Sequence, residues 1–392
     1  MRRLLTALLV LTLATPAAAQ RAKLLIPLDT LIARASRDSN DAPAHYELAL
    51  GYWNAKKYDD AEKQLRETIA IEPRTAVAYL ALSYLPWARR PGLFKEVYKG
   101  SVPADWTAPV EEAFRNRRRA FLLDPLVDLK PLGLAVPPRD AILIGRNASP
   151  LYAALVVGYE NFWDGRYDQA YTSLNEVIAG LTPEQRKEYL PDWFIWYHGL
   201  AAAHVLQYGV AVADFQTLVD HAAARVSSDS VSTSTIPLAD VNEFKYELAV
   251  MLDNGGRTAD AVRLFQESLS NDLSLYVAHS RLAGIYDDQH KSGMALEERR
   301  RAVTANPDDP SLLFDLGEAL ARNGNLPEAQ AVLRQARQAN PRSARAVYVL
   351  GGVALRLENK VEARECYTRF LEIAPSRFSA QIAEVKKELE SL

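Results

Sequence analysis

The fold is decided by the stretch from Asn242 to Pro375, in which one pattern of residues returns every 34 positions. One unit of this stretch, residues 310–341, reads PSLLFDLGEALARNGNLPEAQAVLRQARQANP. Three residue types keep the same period, namely Ala261, Ala295, Ala329 and Ala363, then Leu248, Leu282, Leu316 and Leu350, then Pro307, Pro341 and Pro375. A period of this length is typical of a solenoid built from helix-turn-helix repeats.

The residue types in these ladders have a physical explanation. Small residues at the eighth and twentieth positions of a unit allow its two helices to approach closely. Large apolar residues fill the space between units, and proline ends the second helix. Because each unit buries its apolar face only against its neighbours, an array of them is needed for stability. We therefore predict an all-α fold.

The first nineteen residues have the composition of a secretory signal peptide. Arg2 and Arg3 precede an apolar run over residues 4–14, and Pro16 is followed by three alanines that suit a cleavage site. The run is too short to span a membrane, and no comparable run follows, so we expect no membrane span. With Cys366 as the only cysteine, neither a lipid-attachment cysteine nor an internal disulfide is expected. We expect a periplasmic or secreted protein in which Cys366 is a packed thiol.

Several units resemble the tetratricopeptide repeat family. In the first unit the matching positions are Leu48, Ala49, Tyr52, Tyr58, Ala61, Ile69 and Pro73. In the seventh they are Leu316, Gly317, Gly324, Ala329, Ala336 and Pro341. The resemblance implies an α-solenoid of about eight helix-turn-helix repeats that form a right-handed superhelix with capping helices.

The organisation that we predict follows from this register. After the signal peptide (1–19) come an N-terminal capping helix (20–41) and an irregular half (42–225) with insertions at 86–108 and 126–150. In the irregular half, Pro86 is predicted to break the first helix of the second unit. A Ser/Thr-rich loop (226–241) then leads to four regular repeats (242–377) and a C-terminal capping helix (378–392).

No sequence motif for catalysis is present. The chain lacks a zinc-binding His-Glu-x-x-His pair, a Gly-x-Ser-x-Gly elbow, a phosphate-binding loop and a dinucleotide-binding glycine pattern. The net charge of −3 does not indicate nucleic acid as a partner. We predict a protein that is not an enzyme and needs no metal and no cofactor.

The family resemblance implies that the first helix of each repeat lines a concave groove in which ligands commonly lie. Aromatic residues occupy these positions over half of the groove: Tyr46, Trp53, Tyr84, Tyr152, Tyr159, Phe162, Trp163, Trp193, Trp196 and Tyr246. Aromatic anchors of this kind suit a protein or peptide partner or, alternatively, the sugar rings of an envelope polysaccharide. The other possibility is that the two insertions fold into the groove and cover these rings.

Two basic clusters allow two interpretations. Residues 115–119 carry four arginines, and the preceding insertion carries Arg89, Arg90, Lys95 and Lys99. Together they could bind phosphate-bearing lipid or glycan. A solvated outer helix face is the commoner meaning of such a run, and it is the interpretation that we favour.

Overall fold

The computed structural model describes residues 26–98, 101–128, 150–226, 240–272 and 275–392. Within these ranges the regular structure is helical throughout, without a strand. The predicted signal peptide lies outside the described residues, as do residues 129–149 of the second insertion and 227–239 of the Ser/Thr-rich loop.

The helices have the following bounds. They are α1 Leu28–Arg37, α2 Ala42–Asn54, α3 Tyr58–Ile71, α4 Ala76–Arg89, α5 Leu93–Tyr98, α6 Thr107–Leu123, α7 Pro150–Trp163, α8 Tyr167–Ala179, α9 Pro183–Tyr189, α10 Asp192–His204, α11 Tyr208–Val226, α12 Val241–Asn254, α13 Thr258–Asn271, α14 Tyr276–Asp288, α15 Ser292–Ala305, α16 Pro310–Arg322, α17 Leu326–Ala339, α18 Ala344–Arg356, α19 Lys360–Ile373 and α20 Ser379–Ser391.

Within the described ranges, sixteen of these helices pack as eight antiparallel pairs, which we number as hairpins 1 to 8. The pairs are α2 with α3, α4 with α6, α7 with α8, α10 with α11, α12 with α13, α14 with α15, α16 with α17, and α18 with α19. Helix α1 packs on α2 at one end of the array, and α20 packs on α19 at the other. The all-α solenoid of about eight repeats that the sequence predicts is confirmed.

Small residues hold the two helices of a hairpin at close range, as the ladders predict. A Cβ atom added to Gly317 would lie 2.6 Å from Cγ of Leu333, and one added to Gly351 would lie 2.6 Å from the Tyr367 ring. In the facing helix of hairpin 7, Ala329 has no exposed surface. The backbones therefore approach to a distance at which larger side chains do not fit.

The turn inside each regular hairpin uses one residue with left-handed backbone. These residues also recur every 34 positions, at Gly256, His290, Gly324 and Glu358, with φ between 57° and 81°. Hairpin 4 has Leu206 at its turn, with φ 62°. Left-handed backbone is unfavourable for residues that carry a Cβ atom, so the turn geometry is imposed by the packing of the two helices.

One boundary prediction is wrong. Pro86 does not end the first helix of the second repeat, because α4 continues to Arg89 with Pro86 buried inside it. A proline removes one backbone hydrogen bond from a helix. Here an unbroken buried run from Leu80 to Pro86 keeps the last turn of α4 in place against the core. Helix α6, the partner of α4, begins at Thr107.

The first two hairpins lie across the inner face of the other six. We call residues 26–128 the N-terminal unit and residues 150–392 the C-terminal unit. The N-terminal unit contacts hairpins 3 to 8 in turn through Tyr84 with Trp163, Phe121 with Trp196, Arg118 with Glu243, Arg119 with Tyr276, Arg74 with Asp315, and Asn40 with Ile373. A single apolar core runs from Ala49 in hairpin 1 to Leu312 in hairpin 7.

Candidate functional site

Most of the aromatic residues that the sequence places in the groove are occupied by contacts within the protein. Tyr84, Phe162, Trp163, Trp196 and Tyr246 are all buried. The prediction of an open groove is therefore corrected for these five rings. They belong to the core between the N-terminal and C-terminal units. The occupant of the groove is formed by hairpins 1 and 2, whereas the sequence-based alternative assigned this role to the insertions.

The contacts of these buried rings are specific. The rings of Phe121 and Trp196 meet edge to face with centroids 5.0 Å apart. The hydroxyl of Tyr246 donates a hydrogen bond of 2.8 Å to the backbone oxygen of Leu122, which is one of the last residues of α6. Trp196 donates its indole N–H to Oε1 of the buried Glu247 at 3.1 Å. Edge-to-face pairs and satisfied polar tips add to the free energy gained from burying such rings.

Four of the other five predicted residues fall in different surroundings. Tyr46, Tyr159 and Trp193 are half-buried, and Tyr159 packs edge to face on Tyr197 with centroids 4.9 Å apart. Trp53 is also half-buried, but it lies near the end of α2 beside Tyr58. The fifth, Tyr152, lies in α7.

Trp53 belongs to a group of aromatic residues that remains accessible. We call Trp53, Tyr58, Trp87, Trp106 and Phe114 the aromatic edge. Four of these residues are half-buried, and the side chain of Phe114 is 47% exposed.

Three pairwise contacts build the aromatic edge. The rings of Trp53 and Tyr58 are 5.6 Å apart, and those of Trp87 and Phe114 are 6.3 Å apart, both edge to face. The guanidinium of Arg90 lies 5.7 Å from the Trp106 ring. Cation–π contact of this kind fixes an aromatic ring at the surface without burying it.

The fold explains the positions of three of these residues. Trp53 and Tyr58 flank the turn between α2 and α3, and Trp87 lies in the last turn of α4. Arg89 connects the two hairpins, because its guanidinium lies 2.6 Å from both Asp59 and Glu62 of α3. The continuation of α4 beyond Pro86 is thus what brings Trp87 to the same side as the turn of hairpin 1. The position of Trp87 in this group could not be predicted from the sequence, because Pro86 predicts that the helix ends before Trp87.

The basic residues near the aromatic edge are neutralised by neighbouring acids. Arg89 is shared by Asp59 and Glu62, and Arg90 lies 3.0 Å from Glu96. These pairs neutralise Arg89 and Arg90, so these two arginines do not support the anion-binding interpretation. Lys99 of the same cluster lies outside the described residues.

The arginines of α6 require a second correction. We favoured a solvated outer face for residues 115–119, but three of the four arginines point into the interface between the two units. Arg117 donates to the hydroxyl of Tyr197 at 3.1 Å, and Arg118 and Arg119 contact the acids Glu243 and Asp309. Arg115, with 68% of its side chain exposed and Glu111 3.9 Å away, fits the favoured interpretation. Arg118 fits it in part, because 51% of its side chain stays exposed beside Glu243. Sequence spacing gives no signal for this difference, because the contacts are made with residues more than 75 positions later.

The histidines pair within the solenoid. Nδ1 of His198 is 2.6 Å from Asp214, and Nδ1 of His279 is 2.6 Å from Glu298. Both pairs join the two helices of one hairpin, in which they replace apolar contacts. No group of three or more metal-ligating side chains occurs in the described ranges.

Burial raises the pKa of the Cys366 thiol to about 11, so this residue is protonated at neutral pH.

Comparison with known proteins identifies the repeat type. Residues 281–329 and 314–378 match the family model described as tetratricopeptide repeat. Over 137 residues the chain is 28% identical to the human protein O-mannosyl-transferase TMTC1. The matched part is 34% of this chain and spans only 16% of the length of that transferase.

Two solved structures to which the chain is similar come from other proteins with such repeats. The C-terminal part of a TPR repeat-containing protein from Cytophaga hutchinsonii is 14% identical, with a TM-score of 0.46, over 59% of this chain and 84% of that one. The TPR2AB domain of yeast Sti1, in its pHSP90 complex, is 13% identical with a TM-score of 0.25, over 61% of this chain and 97% of that one. In the part of this chain that the structure describes, each helix is too short or too polar to cross a membrane.

Proposed function

We propose that this chain, a tetratricopeptide-repeat solenoid, is a non-enzymatic scaffold that binds a protein segment along its aromatic edge. The observation that carries the proposal is the division of the aromatic residues into two sets. One set joins the N-terminal unit to the C-terminal unit and is buried. The other set, the aromatic edge, remains partly exposed at the surface.

The chemistry of the edge favours a protein ligand. Tyrosine, tryptophan and arginine are the residue types that contribute most to protein–protein binding, and they do so when partly buried neighbours exclude water around them. Arg90 over Trp106 and the Trp87–Phe114 pair supply such a surface. The inner groove is a poorer candidate, because a ligand there would have to displace hairpins 1 and 2 from six successive contacts.

Export of the protein is part of the same proposal. The support comes from residues 1–19, whose composition is that of a cleaved signal peptide. Expression of the full chain in a bacterial host, followed by N-terminal sequencing of periplasmic material, tests it. A mature chain that begins close to residue 20 supports export, and an intact N-terminus in the cytoplasm contradicts it.

Matched surface variants test the binding surface. Phe114 and Met294 are 47% and 48% exposed, but Met294 lies in hairpin 6, outside the aromatic edge. We expect Phe114→Ser to reduce capture of a specific crosslinked protein by at least tenfold, with an unchanged melting temperature. Met294→Ser should leave capture unchanged.

The same two variants also distinguish a protein ligand from the glycan ligand that the sequence left open. If Phe114→Ser and Met294→Ser capture the partner equally well, the aromatic edge is not the binding surface. Binding to a polysaccharide array that is lost on Phe114→Ser, together with an absence of protein capture, would replace the protein ligand by a glycan.

A further inference from the structure

Arg117 differs from the other two arginines of α6 that contact the C-terminal unit. Arg118 and Arg119, its neighbours on α6, each contact a carboxylate of the C-terminal unit. Arg117 forms no ion pair with a described residue. Its guanidinium instead lies among aromatic side chains, with Cζ 5.2 Å from the Trp163 ring and one N–H donated to the Tyr197 hydroxyl.

Three hydrogen-bond donors around this guanidinium lack acceptors among the described residues. They are Nε of Arg117, the hydroxyl of Tyr84 and Nε1 of Trp163. All three atoms are shielded from bulk solvent, and the Tyr84 and Trp163 rings are themselves in contact with centroids 5.5 Å apart. Buried polar groups are almost always hydrogen-bonded in native proteins, so a concentration of unpaired donors calls for an acceptor.

The charge of the missing acceptor follows from the same residues. A guanidinium is always protonated in a protein, and its removal from water without a counter-ion is costly. Arg117 and Tyr159 are both half-buried despite their position between the two units. Donors from arginine, tyrosine and tryptophan all favour an anionic oxygen or a halide as the group that they surround.

We propose that the cluster of Arg117, Tyr84 and Trp163 binds a small monovalent anion, either a carboxylate or a halide, between the N-terminal and C-terminal units. The bound anion completes the set of charge pairs that α6 makes with the C-terminal unit. This site is separate from the aromatic edge and does not depend on the function proposed for it.

The site can be tested with the full chain and two probes. The melting temperature is measured against increasing sodium acetate or sodium bromide, with sodium methanesulfonate, which is neither a carboxylate nor a halide, keeping the ionic strength constant. Stabilisation by either probe, saturating at millimolar concentration, is expected. A melting temperature that does not depend on the anion would overturn the proposal. Stabilisation by acetate alone identifies a carboxylate site, whereas stabilisation by both probes identifies a site that also takes halides.

Single substitutions test whether the stabilising anion binds at the cluster of Arg117, Tyr84 and Trp163. Tyr84→Phe removes one donor and keeps the ring, so it should weaken the apparent affinity for the anion by about fivefold. Tyr276→Phe is the matched control, because Tyr276 is also buried with an unpaired hydroxyl but lies in α14 beside Arg119. Equal effects of the two variants would contradict the assignment. Arg117→Met should abolish the response, and Tyr84→Phe carries the test if that variant does not fold.

A crystal grown with bromide gives a direct reading. An anomalous peak within about 3.5 Å of the Arg117 guanidinium confirms the halide form. A water molecule at this position in both crystals, one grown with bromide and one with acetate, overturns the proposal.

Discussion

The guanidinium of Arg119, in hairpin 2, contacts the carboxylate of Asp309, 190 residues later, at 3.2 Å. Asp309 is buried and also accepts the backbone N–H of Ser311 at the start of α16. On its other side the same guanidinium lies 5.2 Å from the Tyr276 ring. One arginine of the N-terminal unit thus fixes the junction between hairpins 6 and 7.

Replacement of Arg119 should therefore destabilise the whole chain. Arg119→Met leaves the carboxylate of Asp309 buried without its partner, and we expect a loss of about 2 to 4 kcal/mol in the free energy of unfolding. Arg115→Met is the control on the same helix, because Arg115 is exposed, and it should change stability by less than about 0.5 kcal/mol. Urea denaturation followed by circular dichroism measures both. Similar losses for the two variants would show that the pairing with Asp309 contributes little.

The extent to which the sequence predicts this molecule differs between local and long-range contacts. Hairpin pairing, the positions of Ala329 and Gly317 and the approximate repeat number follow from a period of 34 residues, because they depend on neighbours in the chain. The docking of hairpins 1 and 2 onto hairpins 3 to 8 does not. It depends on single residues such as Arg118 and Glu243, whose separation of 125 positions has no period.

The candidate site shows the same difference between local and long-range contacts. Aromatic residues were correctly located on the first helices of the repeats, since register determines which residues face inward. Whether the inner face meets solvent or hairpins 1 and 2 is a tertiary property. Tyr246 shows this, because its hydroxyl reaches the backbone of Leu122, which belongs to a helix that we expected to lie outside the groove.

Glu247 gives the interface between the units a dependence on pH. Burial is the main cause of a pKa raised well above the ordinary value of a glutamic acid, and the charge of Glu243 adds to it, while the hydrogen bond from Trp196 opposes it. The folded protein therefore keeps a proton on Glu247 at a pH at which the unfolded chain has lost it. Stability falls as pH rises from about 4.5, by at most about 1.4 kcal/mol per unit from this residue, until the folded-state pKa is passed.

Glu247→Gln removes this contribution. The amide keeps the oxygen that accepts from Trp196 and cannot ionise, so the variant should be more stable than the native chain at pH 7 to 8. It should also show a shallower decline between pH 5 and 8. Glu243→Gln is the contrasting variant, because it weakens the contact with Arg118 and should lower stability at pH 7. The test is to measure the melting temperatures of the native chain and both variants between pH 5 and 8. If the melting temperature of Glu247→Gln falls with pH as steeply as that of the native chain, Glu247 is already ionised in the folded protein.

Two helical glycines in the regular repeats should respond to alanine with opposite signs. Gly317 faces Leu333 so closely that a Cβ atom would overlap with it, whereas no atom lies within 4 Å of the Cβ position at Gly284. We expect Gly317→Ala to cost about 1 to 2 kcal/mol through overpacking. Gly284→Ala should stabilise by up to about 1 kcal/mol, because alanine is the better helix former. Chemical denaturation of both variants checks the register, and a stabilising Gly317→Ala would contradict it.

The turns of the hairpins offer a second matched pair. Leu206 has a φ of 62° and is 72% exposed, so it bears the cost of left-handed backbone and makes few contacts in return. Leu206→Gly removes a strain of about 1 to 2 kcal/mol and adds about 0.5 to 1 kcal/mol of chain entropy in the unfolded state. The net expectation is a gain of about 0.5 to 1 kcal/mol.

Gly324 occupies the same turn position in hairpin 7, with φ 81° and no atom within 4 Å of the point at which a Cβ atom would lie. Gly324→Ala therefore tests backbone strain without a steric clash, and it should lose about 1 kcal/mol. Thermal unfolding of Leu206→Gly and Gly324→Ala beside the native chain compares the two turns. If Leu206→Gly is destabilising, the exposed leucine makes a contact that outweighs its strained backbone.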